Sequence, residues 1–206
     1  DGEVQVRAGR PAGGADVADG LSLCDVIADG HGAWPWEHQA LTRARFCAGD
    51  PQVGQQFEDE RRYILTLERD AAQVAKDVIE MRGKMLDGHP NRTDLFDVKH
   101  DRGGMVDLEF IVQYLVLAKS SVFSELVNNF GTIHLTEMAA RLGLLDEATA
   151  EQAVKAYRHY RNIQREIRLA HGEDVRCRVD PESVADERRA VLKLWQDVFG
   201  TDAPQP

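Results

Sequence analysis

Cysteine is scarce in this sequence. Only Cys24, Cys47 and Cys177 occur in 206 residues, far apart and in no CxxC or zinc-ligand spacing. That excludes a disulfide framework and a cysteine-built metal centre, and predicts free thiols in a reducing cytoplasm. Long apolar runs are also missing. The longest, Phe110–Ala118, is interrupted by Gln113, well short of the roughly 18 residues a membrane span needs. No basic-then-apolar leader opens the chain. Lysine is rare: six residues against 19 arginines, none before Lys76. No P-loop, GxGxxG, HxxxH pair or ordered Ser-His-Asp set is present. Net positive charge is absent too. The formal charge is −10, which sets the chain against nucleic-acid backbones.

What remains is an ordinary globular composition, 43% hydrophobic and 29% charged. Residues 1–33 hold seven of the 17 glycines and show no sustained period, so this stretch is expected to be irregular. From Trp34 onward helical spacing dominates. Trp36 to Phe46 predicts a short helix, and Trp34 and Trp36 suit packing anchors or, less well, a base-stacking platform. Asp50-Pro51 is a cap followed by proline at the first helical position, with Val53, Phe57, Ile64 and Leu67 as its apolar stripe. A second helix presents Ala71, Val74, Ala75, Val78, Met81 and Met85. Leu95 to Lys99 reads as a strand and Asp101 to Gly104 as a turn. The helix from Asp107 to Ser120 is apolar almost all round and should lie centrally. Further helices are predicted over Ile133–Leu142, Asp146–His171 and Asp180–Phe199, the last burying Val184, Val191, Trp195 and Val198. The fold class is mainly α: a bundle of about six helices with one short strand or hairpin.

Two constellations draw the eye. Lys99, the Gly103-Gly104 pair and Asp107 at a helix start make either a phosphate-facing corner or a tight turn capped by Asp107. The carboxylates Asp94, Asp97, Asp101, Asp107 and Glu109 do not have calcium-loop spacing and read as solvated strand and turn charges instead of a metal site. On the long helix, Arg158, Arg161, Arg165 and Arg168 recur at spacings of three and four. They form either a solvated face or a surface for phosphates or an acidic partner. Arg43 and Arg45 are too close in sequence to share one helix face fully.

The strings WEHQALTRARFCAGDP (residues 36–51) and FDVKHDRGGMVDLEFIVQYLVL (residues 96–117) resemble bacterial glutamine synthetase adenylyltransferase, the adenylyl-transferring and adenylyl-removing enzyme. The wording is nearer to its C-terminal, adenylylating half. The resemblance covers about Trp34 to Phe199. It implies residues 34–206 to be the helical domain that follows a nucleotidyltransferase domain, with residues 1–33 a diverged or out-of-frame remnant of the latter. It implies AMP transfer from ATP to a tyrosine of glutamine synthetase, with Mg2+ and ATP as cofactors of the full-length enzyme. Two magnesium ions would stabilise the attacking and leaving oxygens. It also implies glutamine synthetase and the PII signal protein as partners. The family's metal-binding carboxylates belong to an S-D-x-D-like element and a D-x-R-L-R-P strand. Here only Val6-Arg7-Ala8-Gly9-Arg10-Pro11 is comparable, with Val6 at the aspartate position. No catalytic or metal-binding residue is therefore assigned, and the chain alone is expected to be inactive. Lys99, Gly103, Gly104, Asp107, Arg43 and Arg45 are the nucleotide-facing candidates. Arg158, Arg161, Arg165 and Arg168 are the partner-binding candidates. The alternative is a non-catalytic module docking glutamine synthetase or PII.

Overall fold

The computed structural model describes residues 35–128, 130–172 and 175–201, with side chains from His38 onward. The expectations for residues 1–33, for Cys24 and for the tryptophans at 34 and 36 lie outside what is described. Seven α-helices and one two-stranded sheet make the described chain mainly α. The helices are α1 (Pro35–Leu41), α2 (Pro51–Leu65), α3 (Ala71–Gly88), α4 (Met105–Lys119), α5 (Thr132–Arg141), α6 (Glu147–His171) and α7 (Ala185–Phe199). The strands are β1 (Phe96–Asp97) and β2 (Arg178–Val179). They pair antiparallel, Phe96 opposite Val179 and Asp97 opposite Arg178. The β element is thus a long-range pairing and not a hairpin, because α4, α5 and α6 intervene in the chain. No described helix is long and apolar enough to cross a membrane.

The chain divides into two compact units. The described part of the first is residues 35–74 and 116–128; the second is residues 75–115, 130–172 and 175–201.

In the first unit α1 is shorter than expected. Its end tightens through successive bonds from the N–H groups of Thr42, Arg43 and Ala44 to carbonyls three residues back. Arg43 and Arg45 therefore lie beyond the helix, and both are exposed. Asp50 caps α2 by accepting the Gln52 N–H at 2.7 Å, with Pro51 behind it. The buried side chains of α2 are Phe57, Arg61, Ile64 and Leu65. Leu67 is 37% exposed, because the helix has already stopped. The Arg69 guanidinium closes that end, donating to the carbonyls of Ile64, Leu65 and Leu67.

In the second unit α6 packs along both α5 and α7. Its buried face is Ala150, Ala153, Val154, Ala156, Tyr157 and Tyr160. The small residues let neighbouring helices approach, and the tyrosines reach outward to polar partners. Asp146 caps it through the N–H and hydroxyl of Thr149. A 3-10 turn, Pro181–Val184, precedes α7, which buries Val191, Leu194 and Trp195. Leu194 takes the place expected of Val198, which is half-buried. The rings of Trp195 and Tyr114 both meet Phe199, at 4.4 and 5.0 Å between centroids. Helix α4 is buried nearly all round, as its composition requires.

Candidate functional site: a braced turn before α4

The stretch from Phe96 to Asp107 is held by side chains that accept backbone hydrogens. Asp97 Oδ1 accepts the N–H groups of Lys99 (3.0 Å) and His100 (3.1 Å). Asp101 Oδ2 accepts the Asp97 N–H at 2.8 Å and the Asn91 amide at 2.6 Å. Val98 donates to the carbonyl of Cys177, tying the turn to the approach of β2. Met105 and Val106 donate to the carbonyls of Val98 and Lys99, which launches α4 from the same turn.

The two glycines are sterically required. Gly103 has φ +84, where a side chain is disfavoured. A Cβ there would lie 2.6 Å from Arg188 Cγ and 2.9 Å from the Arg188 carbonyl oxygen. A Cβ on Gly104 would lie 2.8 Å from the carbonyl oxygens of Asp101 and Val98. Both polar groups of Gly103 are used: its N–H donates to Asp107 Oδ2 (2.6 Å) and its carbonyl accepts the Tyr160 hydroxyl (3.0 Å).

Asp107 is the centre of the brace. It is fully buried, and its Oδ1 meets Arg82 Nε at 2.5 Å, Arg82 being 1% exposed. Arg82 Nη2 also donates to the carbonyl of His100 at 2.8 Å. Burial pushes the Asp107 carboxyl up from its usual range, opposed by the Arg82 charge and the Gly103 N–H. His100 stacks on His89 with centroids 4.2 Å apart. Burial, then the charges of His89, Lys99, Arg176 and Arg82, depress its pKa to about 3, so the ring is neutral near pH 7. Beyond the turn, Tyr157 donates to Glu109 Oε1 at 2.8 Å. Burial, and then the Glu109 carboxylate, raise that tyrosine to about 12.

Lys99, Gly103, Gly104 and Asp107 thus belong to one local structure in the second unit, whereas Arg43 and Arg45 belong to the first. The N–H groups of residues 103–106 are all bonded within the turn. An anion approaching this corner would meet the half-exposed Lys99 side chain instead of a cradle of free amides. The carboxylates read as solvated need correction. Asp97 is 1% and Asp107 0% exposed, because each neutralises orphan backbone donors of the turn. Among the partner-binding candidates, Arg158 pairs with Glu137 at 2.9 Å. Arg161 and Arg165 are exposed, and Arg168 is half-buried beside Cys177. Cys177 is a buried free thiol and Cys47 an exposed one.

Sequence reasoning missed Arg82. Its signal was there: it stands between Val78 and Leu86 at spacings of four, in the middle of the one fully buried stripe of α3. A basic residue centred on an apolar stripe demands a buried carboxylate. The expected stripe through Met81 and Met85 runs beside this one, and both methionines are half-buried.

The fold and this corner define a helical domain whose buried charges brace a turn. Among the described residues no group of three or more His, Cys, Asp or Glu is placed to hold a metal ion. The turn's own amides at positions 103–106 are all taken up internally.

Comparison with known proteins extends this. The family model described as GlnD PII-uridylyltransferase matches residues 72–175, about half of the chain, and the chain belongs to that family. It is also similar to the bifunctional glutamine synthetase adenylyltransferase/adenylyl-removing enzymes of several bacteria. It is 54% identical to the Burkholderia mallei protein over 168 residues, 82% of this chain and 18% of that protein. Against the Nitrosomonas europaea protein it is 46% identical over 181 residues, 82% of this chain and 20% of the other. Against the Bordetella bronchiseptica protein it is 48% identical over 198 residues, 96% of this chain and 21% of the other. The resemblance carried by residues 36–51 and 96–117 to these adenylyltransferases is thereby confirmed. The chain spans about a fifth of the length of the curated relatives it matches. The Bordetella match reaches into residues 1–33, so part of that stretch has an aligned counterpart.

Proposed function

We propose that this chain is the helical domain flanking the adenylylating centre of an enzyme that transfers AMP from ATP to a tyrosine of glutamine synthetase. The similarity to bifunctional adenylyltransferases over most of the chain carries this reading. In it, residues 1–33 are the diverged end of a nucleotidyltransferase domain, and the Bordetella alignment favours divergence over an out-of-frame origin. Magnesium and ATP serve the full-length enzyme in the cytoplasm, with the metal ligands on polypeptide outside the described residues. The role of the chain is to shape one wall of the cleft. The Arg82–Asp107 pair holds the Lys99 turn rigid, so that a lysine charge is offered from a fixed backbone.

The chain by itself should transfer no AMP from radiolabelled ATP to glutamine synthetase. Robust transfer by the 206 residues alone would sink the reading.

A second reading rests on the exposure of Arg161 and Arg165 on α6. There the chain docks glutamine synthetase or PII through that face. The double change Arg161→Glu and Arg165→Glu should abolish partner capture while circular dichroism stays unchanged. Capture that survives it removes this version.

A further inference from the structure

A groove of about 550 Å³ lies in the second unit, and Lys99 is not among its lining residues. Four cationic side chains line it: Arg102, Arg188, Arg189 and Lys193. Glu182 is the one carboxylate among its lining residues. This is the reverse of the chain as a whole, which carries a formal charge of −10.

Two of the arginines are pre-positioned. Arg188 Nε donates to the carbonyl of Arg102 at 3.1 Å. Its guanidinium carbon lies 5.4 Å from the centre of the Phe96 ring. Backbone and ring together fix the Arg188 side chain beside Gly103, whose missing Cβ makes the room. Arg102 is half-buried, and its Nε is shielded from solvent with no hydrogen-bond partner. Arg189 and Lys193 follow one turn apart on α7. Their partners Asp186 and Asp197, both at 2.7 Å, form exposed pairs, which hold weakly and yield to a stronger anion.

We infer that this groove binds a small molecule bearing several phosphate charges. Arg102 and Arg188 grip its phosphate oxygens, and Arg189 and Lys193 complete the countercharge. The planar fork of arginine suits phosphate oxygens in pairs. The volume is that of a small-molecule site, within the general range of about 300–1,000 Å³. Leu192, also in the lining, offers an apolar edge to the body of such a ligand. An acidic protein segment would seek the exposed rim and would not need the recessed Arg102. This groove adjoins the turn through Arg102 and Gly103, but Lys99 is not in its lining, and the inference does not depend on the function proposed above.

The test is calorimetric titration of the chain with inorganic tripolyphosphate at low salt, where charge pairing is least screened. Saturable binding at one site is expected. Arg188→Gln should weaken it about tenfold or more, as loss of a charge-assisted bidentate contact does. The double variant Arg189→Gln/Lys193→Gln changes only exposed side chains, so it reads the same loss even if Arg188→Gln disturbs the packing over Gly103. Lys99→Gln should leave binding unchanged. No saturable binding, or equal binding by wild type and the folded groove variants, overturns the proposal. So does a loss confined to Lys99→Gln, which would place the anion at the turn and leave the function proposed above standing. Tighter binding of a polyglutamate peptide than of tripolyphosphate also overturns it, since the groove would then serve an acidic protein.

Discussion

Among the described residues each compact unit buries one arginine, and the two are held in different ways. In the first, Arg61 is 2% exposed and pairs with Glu58 one turn earlier on the same helix, at 2.8 Å. Its Nη2 donates to the carbonyl of Val127 at 2.7 Å. Glu58 is one-third exposed and has a second duty, accepting the Phe46 N–H at 3.0 Å. In the second, Arg82 meets an Asp107 that is wholly buried and comes from another helix. The first arrangement can return its carboxylate to water if the arginine is lost. The second cannot, and the same carboxylate also holds Gly103. A buried charge is tolerable when its partner can escape and committing when it cannot.

The sharpest way to break that contrast is Arg82→Met. It keeps the packed volume and strands Asp107 in the interior. Removing one partner of a buried ion pair costs about 3–5 kcal/mol, read as loss of stability in urea denaturation. Adding Asp107→Asn should recover part of the loss, since the uncompensated charge is its main source. A loss under about 1 kcal/mol for the single change would mean that Asp107 is not the committed charge described here.

Arg61→Met is the matching change in the first unit. Glu58 is free to hydrate, so the cost is chiefly the orphaned Val127 carbonyl, about 1–2 kcal/mol. Equal losses at Arg61 and Arg82 would dissolve the distinction between the units.

The same contrast explains what the sequence could disclose. Glu58 and Arg61 are three residues apart, a spacing any helical reading exposes. Asp50-Pro51 and Asp146 were legible because a cap is a local event, and each accepts the N–H it should; Asp180-Pro181, the expected start of the last helix, instead caps the 3-10 turn before it. The all-round apolar α4 was legible as a central helix. Non-local pairings were not. The β element was read as one strand or a hairpin because nothing local ties Phe96 to Val179. Asp97 and Asp107 were read as solvated because their burial is set by Arg82, Arg176 and the folded turn. The Gly103-Gly104 pair was singled out; the reason for Gly104 is local, the carbonyls of Asp101 and Val98, but the close pass of Arg188 against Gly103 comes from the last helix.

The smallest expected effect concerns acid, and it falls on the second unit alone through His100. Its folded pKa is depressed to about 3, chiefly by burial, against about 6.5 in an unfolded chain. The unfolded state therefore binds the proton first as pH falls. Stability from this residue is intact above about 6.5 and declines through the interval down to about 3. The turn suffers directly, because the His100 carbonyl accepts from Arg82. Carboxylates titrate across part of the same range, so the informative quantity is a difference between proteins. Between pH 7 and pH 5 the wild type should lose about 1 kcal/mol more stability than His100→Gln, a figure reduced for the solvent screening of a half-exposed ring. If both proteins weaken equally over that interval, His100 is not held neutral by its surroundings, and the acid response of the corner belongs to its carboxylates.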